Sequence, residues 1–113
     1  MTTDIATTQA PSSVQLIDFD DAQIVPGIVN DTYFLIVSGM KPYQNMKVTL
    51  LPRTYIRQPE YWEVEVAGAV YGIPLPVMTP YHEFLPLEGS RGTKGILVIG
   101  KSTTCKLEFP VAN

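Results

Sequence analysis

The sequence predicts an all-β protein, a single antiparallel two-layer β-sandwich of about seven short strands, with a small Greek-key β-barrel as the alternative. Three observations support this. Apolar and polar side chains alternate with a period of two, most clearly over residues 61–67. Ten prolines and eight glycines lie mainly between the apolar segments. No convincing helical periodicity is found in the chain.

The segment around Trp62 is expected to lie at the centre of the core. Trp62, Val64 and Val66 would face one way, and the intervening Glu63 and Glu65 would face water. Trp62 is the only tryptophan, and its indole is the largest apolar side chain available for burial. The other strands are therefore expected to pack around it.

The remaining elements follow from short apolar runs between turn residues. Residues 1–13 lack bulky apolar side chains apart from Ile5 and predict a flexible tail, followed by one domain over residues 14–113. Asp20-Asp21 and Pro26-Gly27 predict turns. The expected strands cover residues 14–19, 31–38, 46–50, 61–67, 81–87, 95–100 and 105–111. The expected core contains Leu16, Leu35, Val37, Val48, Leu50, Trp62, Val64, Val66, Leu85, Val98, Leu107 and Phe109.

The last third of the chain resembles a known class of domain. The stretches Phe84-Leu-Pro-Leu-Glu-Gly89 and Gly92-Thr-Lys-Gly-Ile-Leu-Val98 are similar to the corner between the fifth and sixth strands of fibronectin type III and other immunoglobulin-like domains. The resemblance implies an immunoglobulin-like sandwich for residues 14–113. The tyrosine typical of that corner is absent, since Ile96 and Leu97 stand there, and no Cys…Trp…Cys framework exists.

Composition and charge restrict the classes of partner. The formal charge of −3 argues against nucleic-acid binding. Basic and aromatic residues interleaved over residues 41–57 fit the wet face of an edge strand better than a nucleic-acid groove. The lone Cys105 and the lack of a secretion signal predict a reducing, cytoplasmic environment, and no apolar run predicts a membrane contact.

Motifs for catalysis or cofactor binding are weak. Residues 95–102 satisfy the pattern of a phosphate-binding loop, but Ile96-Leu-Val-Ile99 is a stiff β-forming run rather than a flexible loop. Asp18, Asp20 and Asp21 could offer oxygen ligands, yet they fit a solvated turn better. We therefore predict no cofactor and no metal site, and we expect a protein without enzymatic activity.

The segment 70–81 is the strongest candidate for a functional surface. It contains no charged residue, and its three prolines exclude a regular central strand. A stiff apolar loop can contact a partner at low ordering cost. The alternative is that the segment folds back over the sandwich. The predicted partner-binding residues are Tyr71, Ile73, Leu75, Met78 and Tyr81.

Two wholly apolar strands predict association. Only one face of a sandwich strand meets the core, so Phe34, Ile36, Leu97 and Ile99 are expected on outer faces. If the two strands are neighbours in one sheet, these residues form one apolar patch, which predicts a homo-oligomer or a protein partner.

The function predicted first is thus a non-enzymatic binding or assembly module that uses the apolar sheet face and the 70–81 loop. The alternative is a domain that binds a small molecule or an anion and could hydrolyse it. That alternative would use Arg53, Arg57 and His82, and it requires the three side chains to converge on one pocket.

Overall fold

A computed structural model describes residues 10–110 and contains eight strands. They are β1 (Ser13–Leu16), β2 (Asp21–Pro26), β3 (Tyr33–Lys41), β4 (Met46–Pro52), β5 (Tyr61–Val70), β6 (Thr79–Pro86), β7 (Gly95–Ile99) and β8 (Thr104–Glu108). Within those residues the chain forms no helix, and so none that could cross a bilayer. Residues 1–9 of the predicted tail and Val111 of the predicted last strand lie outside this range. Ser13 already belongs to β1.

The strands form two sheets. One has five strands in the order β4-β5-β7-β8, with β1 pairing the end of β5 that extends beyond β7. The other has three strands in the order β2-β3-β6. Apolar side chains from both sheets form one core cluster, and the sheets do not close into a barrel. The all-β prediction with two packed sheets is confirmed.

Two details of the prediction need correction. The β5–β7 pair is parallel, so the sandwich is not purely antiparallel. Between these strands the chain crosses to the opposite sheet as β6 and returns in the same direction, as a parallel pair requires. The strand β2, at Asp21–Pro26, was expected to be a connection between turns. Ala22 and Ile24 alternate along this strand and pack against the core. The strand was not predicted, because turn-forming residues lie at both of its ends.

The core is deepest between the centres of β3, β5 and β7. Leu35, Val64, Val66 and Val98 have no exposed surface, as their positions in the sequence predicted. Trp62 is only half-buried, because it lies near the start of β5 at the edge of the core. Its indole Nε1 donates a hydrogen bond to the Arg53 carbonyl at 2.9 Å. Trp62 therefore lies at the edge of the core and not at its centre.

In the first strand, the face that is buried is the opposite of the predicted one. Leu16 is half-buried and pairs with Ala67 on the outer face, and it is not part of the core cluster. Ile17 and Phe19 are buried instead. The Ile17 amide donates a hydrogen bond to the carbonyl of the buried Val66 at 3.0 Å, so Ile17 lies on the inward face and Leu16 on the opposite one. Three other expected core residues, Leu85, Leu107 and Phe109, pack against the cluster while partly exposed.

Strand β3 runs from one end of the sandwich to the other. At one end Lys41 pairs with Thr79, directly after residues 71–78. At the other end Phe34 pairs with Pro86, beside the β2–β3 and β6–β7 connections. These ends lie roughly 23 Å apart, since a strand rises about 3.3 Å per residue. Each carries a distinct surface feature.

Candidate functional site

Residues 71–78 form an exposed, largely apolar loop between β5 and β6. Every residue of this loop is exposed. Ile73 has 82% of its surface exposed and Met78 has 61%. The alternative, in which the segment buries its own side chains against the sandwich, does not match this arrangement. The loop presents the apolar residues Tyr71, Ile73, Leu75, Val77 and Met78 to solvent.

Asn45 holds this loop in place. Its Nδ2 donates to the carbonyl oxygen of Ile73 at 2.9 Å, and its Oδ1 accepts from the Leu75 amide at 3.1 Å. The neighbouring Gln44 amide donates to the Leu75 carbonyl at 2.9 Å. The backbone of the loop is therefore bonded to the β3–β4 connection, while its side chains stay in water.

A positive-φ glycine shapes the first part of the loop. Gly72 has φ of 82°, a conformation that glycine adopts without a steric penalty. Its carbonyl accepts a hydrogen bond from the Ser12 hydroxyl at 2.8 Å. The loop is thus also connected to the segment that leads into β1.

Tyr81 does not belong to this surface. It lies in β6 with 7% of its surface exposed, and its hydroxyl donates to the Asp18 carbonyl at 2.9 Å. Burial raises the pKa of Tyr81 to about 12, and the charges of Asp20 and Asp18 contribute. It is a core residue, so its place among the predicted partner-binding residues is corrected. Strand β6 begins at Thr79, and the alternation from there turns Tyr81 inward.

The four predicted interface residues lie in different sheets. Phe34 and Ile36 lie in β3 of the three-stranded sheet, and Leu97 and Ile99 lie in β7 of the five-stranded sheet. All four are half-buried. The single patch expected from neighbouring strands therefore does not form, because β7 pairs with β5 and β8 instead of β3.

An apolar patch does exist on the outer face of the three-stranded sheet. Phe84 is 61% exposed and pairs with Ile36. Its ring stacks on Phe34 with centroids 6.0 Å apart and an interplanar angle of 23°. Pro86 and Val25 flank Phe34 in register. The Phe84 patch, defined by these five residues, was not predicted, because the pairing of β3 with β6 cannot be read from local sequence.

The residues of the predicted anion site do not converge. Arg53 Nε lies 2.9 Å from a Glu63 carboxylate oxygen, and its Nη2 lies 3.6 Å from one of Glu65, so carboxylates already face this arginine. His82 is exposed on the outer face of the opposite sheet, in register with Ser38. Arg57 is exposed in the connection between β4 and β5. The convergence that this alternative required is absent.

The phosphate-loop pattern at residues 95–102 is a strand and a tight turn. Ile96 and Val98 are fully buried in β7. A Cβ at Gly95 would collide with the Leu107 carbonyl oxygen, so this glycine serves strand pairing. The Ser102 amide, which would face a phosphate, donates to the Asp18 carboxylate at 2.6 Å. Asp18 thus stabilises the β7–β8 turn.

A cavity of about 480 Å³ opens at the other end of the sandwich. It lies between the β2–β3 and β6–β7 connections, and its walls include Val29, Phe34, Pro86, Leu87 and Arg91. Sequence reasoning did not find it, because its walls come from two connections about 60 residues apart. The one local signal was the pair of apolar residues in a turn, Ile28-Val29.

No cluster of three or more histidine, cysteine or acidic residues that could hold a metal ion exists within residues 10–110. The chain matches no protein-family model, no curated protein and no solved structure. Its function is therefore argued from geometry alone.

Proposed function

We propose that this chain is a non-enzymatic binding module that contacts a protein partner through the loop of residues 71–78. The observation that supports this best is the combination of exposed apolar side chains with a backbone bonded to Asn45. Scattered exposed apolar residues are ordinary on protein surfaces, but a contiguous uncharged run of them marks an interaction site.

The order of the loop favours binding. A mobile loop loses conformational entropy when a partner fixes it, whereas this backbone is already held. Burial of Ile73 and Met78 would then contribute to affinity at about 25 cal/mol per Å² of apolar surface. Without a charge in the loop, the complementary surface on the partner is apolar.

Self-association through the Phe84 patch is the second part of the proposal. Phe84, Phe34 and Ile36 form an apolar surface on a regular sheet face, and a second copy would supply an identical surface. A two-fold contact between identical patches is the commonest form of soluble oligomer. The chain would then be a homo-oligomer that presents one apolar loop on each subunit.

We infer that the scaffold is a variant of the immunoglobulin-like sandwich in a reducing, cytoplasmic compartment. The order β2-β3-β6 supports this, because strands A, B and E have the same spatial order in an immunoglobulin sheet. The parallel β5–β7 pair departs from that pattern. The single thiol, Cys105, is free and half-buried beside the core, which is compatible with reducing conditions.

The loop is tested with Ile73→Asp and Leu75→Asp. Full-length wild-type chain is used as bait, and any retained protein is purified and its affinity measured by calorimetry. Both substitutions should weaken that affinity at least about tenfold, the effect of roughly 1.4 kcal/mol. Ile56→Asp is the matched control, since Ile56 is fully exposed in another connection. If Ile73→Asp and Leu75→Asp bind the partner as tightly as Ile56→Asp and the wild-type chain do, the role of the loop is refuted.

Self-association is tested by sedimentation velocity over a range of concentrations. The wild-type chain should sediment as an oligomer, and Phe84→Ser should shift it toward the monomer. Leu51→Ser, at an exposed position on the outer face of the other sheet, should leave the distribution unchanged. A monomeric wild-type chain at the highest concentration would contradict this part of the proposal and leave the loop unaffected.

A further inference from the structure

The cavity at the end opposite the 71–78 loop has the size and lining of a small-molecule site. Its volume of about 480 Å³ lies within the range of roughly 300–1,000 Å³ that is usual for such sites. The apolar residues that line it include Val29, Phe34, Pro86 and Leu87. An apolar molecule that entered it would release the water that now covers Val29 and Pro86.

One cation lies at the wall of this cavity. The Arg91 guanidinium lies over the rings of Tyr33 and Phe109, 5.0 and 4.6 Å from their centroids. Its side chain is 32% exposed. The guanidinium is thus held against two aromatic rings through cation–π contacts.

The donors of Arg91 are only partly used by the described residues. Nη1 donates to the Asp31 carbonyl at 3.1 Å. Nη2 lies 3.6 Å from the Asp31 carboxylate, which is longer than a hydrogen bond, and the Asp31 side chain is 82% exposed. Such a solvated carboxylate compensates a partly buried guanidinium weakly. A ligand carboxylate could accept hydrogen bonds from the remaining donors.

We propose that this cavity binds a small carboxylic acid with an apolar body. The body would occupy the space beside Phe34, Pro86 and Leu87, and the carboxylate would bind the Arg91 guanidinium through charge-assisted hydrogen bonds. An uncharged apolar molecule would gain the burial but not the ion pair. An amine of the same size would meet the positive charge of Arg91, and the two acidic wall residues, Asp31 and Glu88, are both solvent-exposed and screened.

Octanoate, octanol and octylamine are matched probes, because they share one chain length and differ in the head group. Binding to the full-length chain is followed by chemical-shift changes of backbone amides in residues 28–34 and 87–91. Octanoate should bind about tenfold more tightly than octanol, because only octanoate can pair its charge with the Arg91 guanidinium through charge-assisted hydrogen bonds. Equal affinities for octanoate and octanol, stronger binding of octylamine, or no shifts with any probe would overturn the proposal.

Three variants locate the interaction. Arg91→Gln should remove the preference for octanoate, whereas Arg57→Gln, at an exposed arginine elsewhere, should keep it. Asp31→Asn keeps the Arg91 guanidinium and removes a negative charge beside it, so octanoate should bind at least as tightly as it binds the wild-type chain. Asparagine tolerates the positive φ of 64° at this position, so this variant tests the site even if Arg91→Gln does not fold. Weaker octanoate binding in Asp31→Asn would contradict the role given to Arg91.

Discussion

Asp18 connects the segment after β1 to the turn between β7 and β8 through Ser102, whose amide lies 2.6 Å from Asp18 Oδ1. The Ser102 hydroxyl donates to the other carboxylate oxygen, and the Thr103 amide donates to Oδ1 at 3.0 Å. One carboxylate thus accepts three hydrogen bonds from a turn 84 residues away. This contact joins the beginning of the sandwich to its last hairpin.

The first prediction concerns acid stability. The hydrogen bonds from Ser102 favour the ionised form and hold the pKa of the Asp18 carboxyl below its usual value. A lowered pKa in the folded state gives stability that is present above about pH 4, the unfolded value, and is lost as pH falls through the folded pKa. Urea unfolding between pH 7 and pH 3 should show this loss in the wild-type chain and a smaller loss in Asp18→Asn. Asp21→Asn, at an exposed site, should retain the wild-type slope.

The second prediction concerns alkaline stability. Burial raises the pKa of Tyr81 to about 12, above the unfolded value of about 10. Stability that depends on the neutral phenol is therefore complete below about pH 10 and is lost as pH rises toward 12. Denaturant midpoints measured from pH 8 to pH 11 should fall more in the wild-type chain than in Tyr81→Phe. Identical slopes in the two proteins would show that Tyr81 does not ionise on unfolding.

The third prediction concerns the order of the 71–78 loop. Asn45→Ala removes the hydrogen bonds to Ile73 and Leu75, so the amide of Leu75 should exchange with solvent faster. Global stability should fall by about 0.5–1.5 kcal/mol for each hydrogen bond lost without replacement. Gln44→Ala is the control, because Gln44 bonds the loop through its backbone amide. Unchanged exchange at Leu75 in Asn45→Ala would mean that the loop is held by other contacts.

The fourth prediction locates the core. Leu35→Ala should destabilise the protein by about 2–5 kcal/mol, because Leu35 has no exposed surface and its removal leaves a cavity. Leu51→Ala changes the same side chain at a position that is 45% exposed, and the cost should stay within about 0.5 kcal/mol. Thermal or chemical unfolding gives both values. Equal costs would place the core elsewhere.

The tertiary structure explains why the sequence led to the wrong position for several residues. Trp62 has the largest apolar surface in the chain, but it lies where β5 begins, at the border of the core. At the end of β1 the opposite face is buried: Ile17 lies in the core, and Leu16, which pairs with Ala67, does not. Size and alternation show neither which face of a short strand is buried nor how far a residue lies from the end of the sheet.

The candidate functional surfaces could also be predicted only in part from the sequence. The uncharged, proline-rich composition of residues 70–81 predicted an apolar loop, but it did not decide whether the side chains of the loop are exposed or folded back over the sandwich. Its attachment to Asn45, about 30 residues away, could not be predicted. The Phe84 patch and the cavity beside Arg91 depend on which strands and connections are neighbours.

Local alternation and turn residues are enough to establish the all-β class, the inward face of most strands and the apolar character of the loop. The pairing of β7 with β5, the contact of Phe34 with Phe84 and the position of Arg91 beside an apolar cavity become known only from the folded chain. This is because a strand offers hydrogen-bonding groups on both edges regardless of its sequence. Its neighbours are therefore chosen by how the whole chain buries its apolar faces, and no local pattern contains that information.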